Sequence, residues 1–357
     1  MDFDFADVLL EVMERKASDL HLTSGSPPMV RERGQLVALD YPALTPQVVR
    51  EVVYSILSND QRQRLETDWQ IDFAYSIPDK ARFRVNAFFQ RASIGAAFRL
   101  IPSEMPALET LGLPPILRDF TKKPRGFVLV TGPTGSGKST TLAAMLDLIN
   151  RERQEHIMTI EDPIEFLHRH QKCIVNQREL GADAQTFSLA LKAALRQDPD
   201  VILVGEMRDL ETISTALTAA ETGHLVFATL HTQDTAQTVD RIVDVFPPSQ
   251  QQQVRVQLSV ALQGIVTQQL LPTADGLSRC AATEVLVPTP AIRNLIREGK
   301  THQIYSALQT GGTHGMQTMD SALADLVRQN RITTALAESR SSSPEELRRL
   351  MGTVRAA

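Results

Sequence analysis

The chain has 357 residues and a formal net charge of −5, with 42% apolar and 22% charged residues, which suggests about two domains and excludes a largely disordered or fibrous chain. The acidic balance and the 5% of aromatic residues argue against a protein that coats nucleic acid, so no nucleic-acid partner is expected. The N-terminus lacks a basic start followed by an apolar run, and the two cysteines cannot build a disulfide framework, so a cytoplasmic protein is predicted.

Residues 1–100 are predicted to form a small mixed domain of helices and strands. The assignments follow from apolar residues at helical spacing, from alternation, and from Thr45-Pro46, which is a typical N-cap and first-turn pair. The predicted elements are, in order, a helix over 5–16, a strand over 17–22, a hairpin over 29–38 around Arg33-Gly34, a helix from 45, and strands over 71–77 and 82–101. The aperiodic, Pro-containing stretch 101–115 is predicted to be a linker.

Residues 116–357 are predicted to form a second domain. Short apolar runs alternate there with amphipathic stretches, which predicts an α/β fold with helices on the faces of a parallel sheet. The alternating strands and helices are predicted over 127–131, 138–150, 156–160, 186–197, 201–204, 209–222, 225–230 and 235–245. Further helices are predicted over 250–271, 291–298 and 316–329, and from a capping box at Ser343–Glu346.

The segment Gly132–Ser139 matches the phosphate-binding pattern G-x-x-x-x-G-K-[ST] at every fixed position, between a predicted strand and a predicted helix. Glycines allow backbone N–H groups to wrap phosphates, and the start of the helix favours negative charge. Lys138 is expected to reach the β- and γ-phosphates and the Ser139 hydroxyl to bind Mg²⁺, so ATP and Mg²⁺ are the expected ligands. The candidate nucleotide-binding residues are Gly132, Pro133, Thr134, Gly135, Ser136, Gly137, Lys138, Ser139 and Thr140.

Carboxylates close two of the predicted strands. Glu206 follows the strand 201–204, as in a Walker B site, and Glu161 with Asp162 follows the strand 156–160. Ligands in open α/β sheets bind at the carboxyl ends of strands, so these acids are expected to line one crevice with the phosphate loop. One of Glu161 and Glu206 would polarise the attacking water and the other would order the metal, and the sequence leaves this choice open.

Histidines and arginines supply further candidates. His231 follows the strand 225–230, where it could stabilise or sense a γ-phosphate or only cap its strand. Arginines of the first domain either cover the polar face of a small sheet, which is the interpretation for Arg91, or act as arginine fingers on a nucleotide held by another subunit. The candidate fingers are Arg82, Arg84 and Arg99.

These motifs, in this order, resemble those of the secretion-type hexameric ATPases and, within them, the type IV pilus retraction ATPases. The matching segments are 17–22, 82–86 with 98–99, 132–139, 159–166, 198–209, 222–232 and 291–298. The resemblance runs from about residue 5 to about residue 330. The tail 337–357 matches no motif of this kind.

The resemblance implies a PAS-like N-terminal domain followed by a RecA-like P-loop ATPase domain with C-terminal helices. It implies a homohexamer in which nucleotide lies between the two domains and arginines of the N-terminal domain complete the site. By position, Glu161 would be the general base and Glu206 the Walker B acid, and His231 with His224 would contact the γ-phosphate.

The resemblance also implies a cellular role. ATP hydrolysis would drive pilus retraction through an inner-membrane pilus platform protein, at the inner face of the bacterial inner membrane. A paralogous retraction ATPase could act beside this chain. In the segment 291–298, Ile292, Leu295 and Ile296 share one face that suits core packing. The opposite face, with Arg293, Asn294, Arg297 and Glu298, could meet a partner or a neighbouring subunit.

Four other functions share parts of this pattern. A pilus extension or secretion ATPase would use the same chemistry, but the absence of a four-cysteine zinc motif and the presence of the segment 291–298 argue against it. An accessory retraction paralogue would share most motifs and is ranked lower because that segment is intact. A ring ATPase that moves nucleic acid conflicts with the acidic charge. A non-catalytic nucleotide sensor conflicts with the presence of Lys138, Ser139, Glu161 and Glu206 together.

Overall fold

A computed structural model of the chain describes residues 4–32, 34–77, 80–101 and 105–352. Part of the predicted hairpin turn, part of the predicted linker and the last residues of the tail lie outside these ranges. The chain forms two compact units, one of Met1–Glu104 with Glu165–Leu167 and the other of Met105–Ile164 with His168–Ala357. No helix in the described ranges is long and apolar enough to cross a membrane.

The first unit is built on an antiparallel sheet. Its elements are, in order, α1 (Phe5–Glu14), β1 (Asp19–Leu22), β2 (Met29–Glu32), β3 (Gln35–Ala38), α2 (Pro46–Ile56), α3 (Asn59–Asp68), β4 (Gln70–Ile77), β5 (Ala81–Gln90) and β6 (Ser93–Ile101). The strand order is β3-β2-β1-β6-β5-β4. Thr45 caps α2 as predicted, because its hydroxyl accepts a hydrogen bond from the Val48 N–H. The helix α3 was not predicted, since its sequence is almost entirely polar.

The second unit is built on a mostly parallel sheet. Its elements up to the last strand are α4 (Ile116–Thr121), β7 (Gly126–Thr131), α5 (Lys138–Glu152), β8 (His156–Glu161), β9 (Ile174–Glu179), α6 (Phe187–Ala194), β10 (Val201–Val204), α7 (Leu210–Thr222), β11 (Leu225–Leu230), α8 (Thr235–Asp244), α9 (Pro248–Ala261), β12 (Leu262–Pro272) and β13 (Arg279–Leu286). The strand order is β13-β12-β7-β11-β10-β8-β9, and only β13 runs antiparallel to its neighbour. The predicted α/β fold class is confirmed.

The central strands explain why this sheet is parallel. Every residue of β7, β10 and β11 is buried, so both faces of these strands need a cover. Helices that connect parallel strands supply that cover on both sides. The carboxyl ends of the strands therefore meet at one edge of the sheet, and the loops at that edge are free to bind a ligand.

The prediction of one long helix over 250–271 is wrong. The helix α9 ends at Ala261, and the chain continues directly as β12, which pairs with β7 in parallel and with β13 in antiparallel. A short, continuously apolar run in a buried strand has the same pattern as a buried helix, so periodicity alone does not separate them. The β-branched run Ile265-Val266-Thr267 was the signal that favoured a strand.

The C-terminal part of the second unit is helical, as predicted. It contains α10 (Pro290–Arg297), α11 (Ile304–Thr310), α12 (Met319–Arg328), α13 (Thr334–Arg340) and α14 (Pro344–Met351). Pro344 occupies the first turn of α14, but the predicted capping box is wrong, because the Ser343 side chain makes no capping hydrogen bond.

The helix α10 packs by its apolar face, since Ile292 and Ile296 are completely buried. On its opposite face Arg293 turns back onto the chain. Its guanidinium donates to the carbonyl oxygens of Ser259, Val260 and Leu262 at the end of α9. Arg293 therefore has a structural role within the chain, and its contact with a partner or a neighbouring subunit stays a prediction.

Candidate active site

Four adjacent parallel strands bring most of the candidate residues to one edge of the sheet. These strands lie in the order β7-β11-β10-β8. The phosphate loop follows β7, His231 follows β11, Glu206 follows β10, and Glu161 ends β8. Neighbouring strands are about 4.8 Å apart, so the strand ends that carry these groups span roughly 15 Å. The crevice predicted at the carboxyl ends of the strands is therefore present within the second unit.

The phosphate loop needs glycine where it turns past β12. Gly132 has a φ of +137°, and a Cβ on it would lie 2.3 Å from the carbonyl oxygen of Gln268. Gly137 has a φ of +88°, and its Cβ would lie 2.7 Å from the side-chain nitrogen of Gln268. Both positions combine a left-handed backbone with a close approach, which only glycine accepts.

Gln268 supports the phosphate loop from the neighbouring strand. Its Nε2 donates to the Ser136 carbonyl oxygen at 2.7 Å, and its Oε1 accepts from the Thr141 hydroxyl at 2.8 Å. The side chain is only 3% exposed, so both bonds are made in a dry environment. The sequence analysis missed this residue because it placed Gln268 in a helix. The available signal was a polar side chain inside an apolar run.

The loop carries the donors that bound phosphates require. The Lys138 ammonium is buried and donates to the carbonyl oxygens of Gly132 and Pro133 at 2.8 and 3.1 Å. The Ser136 hydroxyl oxygen is buried and has no hydrogen-bond partner among the described residues. Ser139 lies in the first turn of α5, at the positive end of the helix dipole. This donor set fits a polyphosphate.

Glu206 is held by Arg208 and His231 after β10. Its oxygens accept from Arg208 Nε and Nη2 at 2.5 and 2.7 Å, and His231 Nε2 lies 3.0 Å from Oε1. The hydrogen bond from Arg208 is the main reason that the pKa of Glu206 is lowered from its usual value. The ionised carboxylate of Glu206 and the Ser139 hydroxyl are oxygen ligands of the kind that Mg²⁺ prefers. Arg208 was not singled out from the sequence.

Glu161 is oriented by two neutral donors at the end of β8. Its Oε1 accepts from the Thr159 hydroxyl at 2.7 Å and from the Gln177 amide at 3.0 Å. Gln177 lies on β9, and its side-chain oxygen Oε1 accepts from the His168 backbone N–H at 2.8 Å. These contacts hold one oxygen of Glu161 in place. Gln177 was missed because β9 was not predicted, and Thr159 was not singled out although its strand was.

His224 does not lie with the other candidates. It precedes β11, and Leu225 pairs with Gly126 at the amino end of β7. The phosphate loop begins after the opposite end of β7, about 20 Å away along the strand. His224 Nδ1 instead lies 3.0 Å from the Ala219 carbonyl oxygen, next to the end of α7. The expectation that His224 contacts a nucleotide bound at this chain's own phosphate loop is therefore wrong.

The three candidate arginines lie on one face of the antiparallel sheet of the first unit. Arg84 and Arg99 are cross-strand neighbours on β5 and β6. Arg99 pairs with Asp19 at 2.9 Å, Arg84 lies 3.9 Å from Asp72, and Arg82 donates to the Ser76 hydroxyl at 3.3 Å. Side chains of Arg84 and Arg99 remain 47% and 70% exposed, so they can still reach another group. Their role as arginine fingers stays a prediction.

A cavity of about 470 Å³ adjoins the phosphate loop within the second unit. Gly137 and Thr140 form its wall on the side of the loop. Apolar walls come from Leu111 and Leu270, and Arg279 and Arg331 also line the cavity. Its position beyond the start of α5 and its apolar walls suit the base and sugar of a nucleotide whose phosphates occupy the loop.

Comparison with known proteins gives a consistent result. Residues 4–353 match the family model described as type II/IV secretion system protein. The chain is 52% identical to the type IV pilus retraction ATPase PilT of Pseudomonas aeruginosa, over 96% of this chain and 99% of that protein. It is 50% identical to the twitching motility protein of Neisseria gonorrhoeae, over 93% and 90%. It is 43% identical to the type IV pilus ATPase PilU of Pseudomonas aeruginosa, over 97% and 90%.

A solved structure gives the same picture at the level of the fold. The crystal structure of the pilus retraction motor PilT with bound ADP matches this chain with a TM-score of 0.92 and 51% sequence identity. The match covers 98% of this chain and all of the solved chain. At this identity and coverage the two chains share their architecture from end to end.

Proposed function

The chain belongs to the type II/IV secretion system protein family, and from this membership we propose that it is an ATP-hydrolysing motor that drives type IV pilus retraction. One observation carries the proposal: the near full-length similarity to the retraction ATPase PilT, at 52% identity. The phosphate loop and the two acidic strand ends give the chain the groups that such an enzyme needs. Similarity to PilU is lower, which ranks the accessory role second.

The site suggests how the chain's own residues act on ATP. Backbone N–H groups of the loop and Lys138 would bind the β- and γ-phosphates. Ser139 and Glu206 would hold Mg²⁺, which when bound neutralises charge that develops on the transferred phosphoryl group. His231, at hydrogen-bonding distance from Glu206, would report whether a γ-phosphate is present.

We assign the general base to Glu161. Glu206 already accepts two hydrogen bonds from the Arg208 guanidinium and lies 3.0 Å from His231 Nε2, which makes it a poorer proton acceptor. The contacts of Glu161 with Thr159 and Gln177 hold its carboxylate in a fixed orientation, as a general base requires. A water between Glu161 and the γ-phosphate would lose its proton to this carboxylate as it attacks.

The assembly that fits this chemistry is a homohexamer. Exposed arginines on the first unit would complete the nucleotide site of another subunit, since an arginine supplied by a second protein chain can stabilise the charge of phosphoryl transfer. Closure on ATP and reopening after hydrolysis would move a docked partner. That partner would be the pilus platform protein, which places the motor at the cytoplasmic face of the inner membrane. A paralogous ATPase could share the same platform.

Deletion of the gene tests the proposed direction of the motor. A strain that lacks it should carry more surface pili than the parent and should lose surface motility, because pili form but are not withdrawn. Complementation with the parent gene should restore motility, and Lys138→Ala should not. A strain without surface pili would instead assign this chain to pilus extension with the same active site.

A further inference from the structure

The second unit contains a buried carboxylate that the proposed mechanism does not use. Glu284, on β13, is only 4% exposed. Burying a charged group is costly unless hydrogen bonds satisfy it, so an acid in this position needs a structural or functional reason. Burial raises the pKa of Glu284, and its hydrogen bonds with Thr235 oppose that rise.

Glu284 connects the starts of two helices. Its Oε1 accepts from both the backbone N–H and the hydroxyl of Thr235, each at 2.8 Å, and Thr235 is the first residue of α8. Its Oε2 accepts from the N–H of Met319, the first residue of α12, at 3.4 Å. Thr235 is completely buried, so water cannot replace these contacts.

The start of α8 leads directly into the active site. His231 lies four positions before Thr235, and its Nε2 is 3.0 Å from Glu206. The turn between them is short and internally bonded. Thr232 and Thr238 share a hydroxyl hydrogen bond of 2.7 Å, and the Asp234 carboxylate accepts from the Gln237 N–H. A shift of the first turn of α8 would therefore move His231 relative to Glu206.

We propose that Glu284 is a positioning residue that fixes the first turn of α8 and, through it, places His231 against Glu206. The inference rests on the proposed function, in which His231 responds to the γ-phosphate. Glu284 reaches His231 only through Thr235 and the turn, so it acts on turnover and not on phosphate binding. The P-loop has its own support in Gln268, which does not depend on this contact.

Thr235→Val in the full-length protein tests the contact, because it removes one hydroxyl at nearly constant volume. We expect kcat for ATP to fall roughly tenfold, since small displacements of an active-site group have effects of this size, while KM stays within about twofold. Thr235→Ser restores the hydroxyl and should recover most of the loss. The matched control is Thr333→Val, which removes a hydroxyl that caps the distant helix α13 and should leave kcat at the parent value.

A double-mutant cycle with His231→Ala separates positioning from general damage. If Thr235 and Glu284 act through His231, then Thr235→Val should change kcat by less than about twofold in the His231→Ala background. Glu284→Gln, which keeps the volume but loses the charge, should follow the same pattern. If Thr235→Val does not assemble, Glu284→Gln takes its place in the cycle.

The outcomes distinguish this inference from the proposed function. Multiplicative losses in the double mutant, or equal losses for Thr235→Val and Thr333→Val, would overturn the positioning role and leave the role of His231 intact. Parent-like turnover in His231→Ala would overturn the role of His231 and the inference with it. A loss confined to Thr235→Val and Glu284→Gln, absent when His231 is already replaced, would support it.

Discussion

The carboxylate of Glu206 contacts Arg208 and His231, and it lies where Mg²⁺ would be held. Glu206→Gln keeps the shape of the side chain but removes the negative charge. We expect ATP hydrolysis to fall by at least about a hundredfold, since the charge that orients the metal is lost, while nucleotide still binds at the P-loop. Phosphate release and binding of a fluorescent nucleotide measure the two effects separately.

Glu152→Gln is the matched control for this change. Glu152 lies at the end of α5 and pairs with Arg118 on the surface, so its replacement should leave hydrolysis unchanged. If Glu206→Gln hydrolyses ATP as fast as the parent, then Glu206 is not the Walker B acid.

His168 predicts a pH dependence of stability. Burial lowers the pKa of its imidazole from 6.5 to about 4, and its Nδ1 has no hydrogen-bond partner among the described residues. The fold therefore favours the neutral form. The stability that the neutral imidazole of His168 contributes is fully present above pH 6.5. As the pH falls from 6.5 toward 4, this contribution is lost and the free energy of unfolding decreases by about 3 kcal/mol in total.

Urea titrations at pH 6.5 and pH 4 measure this contribution. The free energy of unfolding should decrease more in the parent than in His168→Leu, and the difference between the two decreases should be about 3 kcal/mol. His302 is exposed, so His302→Leu should retain the full pH dependence of the parent. Identical decreases in the parent and in His168→Leu would show that His168 is not buried in its neutral form.

At the scale of elements, strand β12 supports the phosphate loop through the side chain of Gln268. Gln268→Leu removes the donor to Ser136 and the acceptor for Thr141 and leaves both groups buried. We expect the protein to lose about 2–4 kcal/mol of stability and to bind nucleotide roughly tenfold more weakly. Thermal unfolding and nucleotide titration check both values.

Gln269→Leu supplies the control on the same strand. Successive side chains of a strand point to opposite faces, so Gln269 points away from the P-loop. Its replacement should affect nucleotide binding by less than about twofold. Equal weakening by both variants would mean that Gln268 does not support the loop specifically.

The helix α10 makes a second prediction at this scale. Arg293 donates to three carbonyl oxygens at the end of α9, where the chain turns into β12. Arg293→Ala should therefore lower stability by about 2 kcal/mol, because carbonyl groups at a helix end lose their donors. The Arg297 guanidinium on the same helix donates to the Asn294 side chain at 3.2 Å.

Thermal unfolding of Arg293→Ala and Arg297→Ala compares the two arginines directly. Arg297→Ala should remain within about 0.5 kcal/mol of the parent. Equal stability of both variants would leave Arg293 with only the surface role that the sequence pattern suggested. Loss of motility in Arg297→Ala at full stability would keep that surface role for Arg297.

The sequence predicted elements whose pattern is local and missed contacts that join distant segments. The P-loop and the strands that end in Glu161 and Glu206 could be read directly, because glycine spacing and apolar runs are local signals. The roles of Gln268 and Gln177 could not be predicted from the sequence. Each side chain donates a hydrogen bond to a group more than a dozen residues away, and each lies on a strand that was not predicted. The prediction for His224 was wrong because residues that are close together in a sequence motif can lie at opposite ends of a strand, as His224 and His231 do.

At the scale of the whole molecule, the candidate groups are divided between two units. The P-loop and its acids lie in the second unit, and the exposed arginines lie in the first. If arginines act on a neighbouring subunit, then two defective subunits can complement each other. Lys138→Ala removes the phosphate contact of its own loop, and Arg84→Ala removes the group offered to a neighbour. Each variant alone should be nearly inactive.

Mixed rings of the two variants should recover activity. In a random one-to-one mixture, about a quarter of the interfaces join an intact loop from an Arg84→Ala subunit to an intact arginine from a Lys138→Ala subunit. Turnover should therefore rise toward about a quarter of the parent value when the subunits are mixed before assembly. Arg91→Ala serves as the control, because Arg91 lies in the turn between β5 and β6 and its loss should not reduce turnover. No recovery at any ratio would place the arginine and the loop that it serves in the same subunit, since only then would every mixed ring contain no complete site.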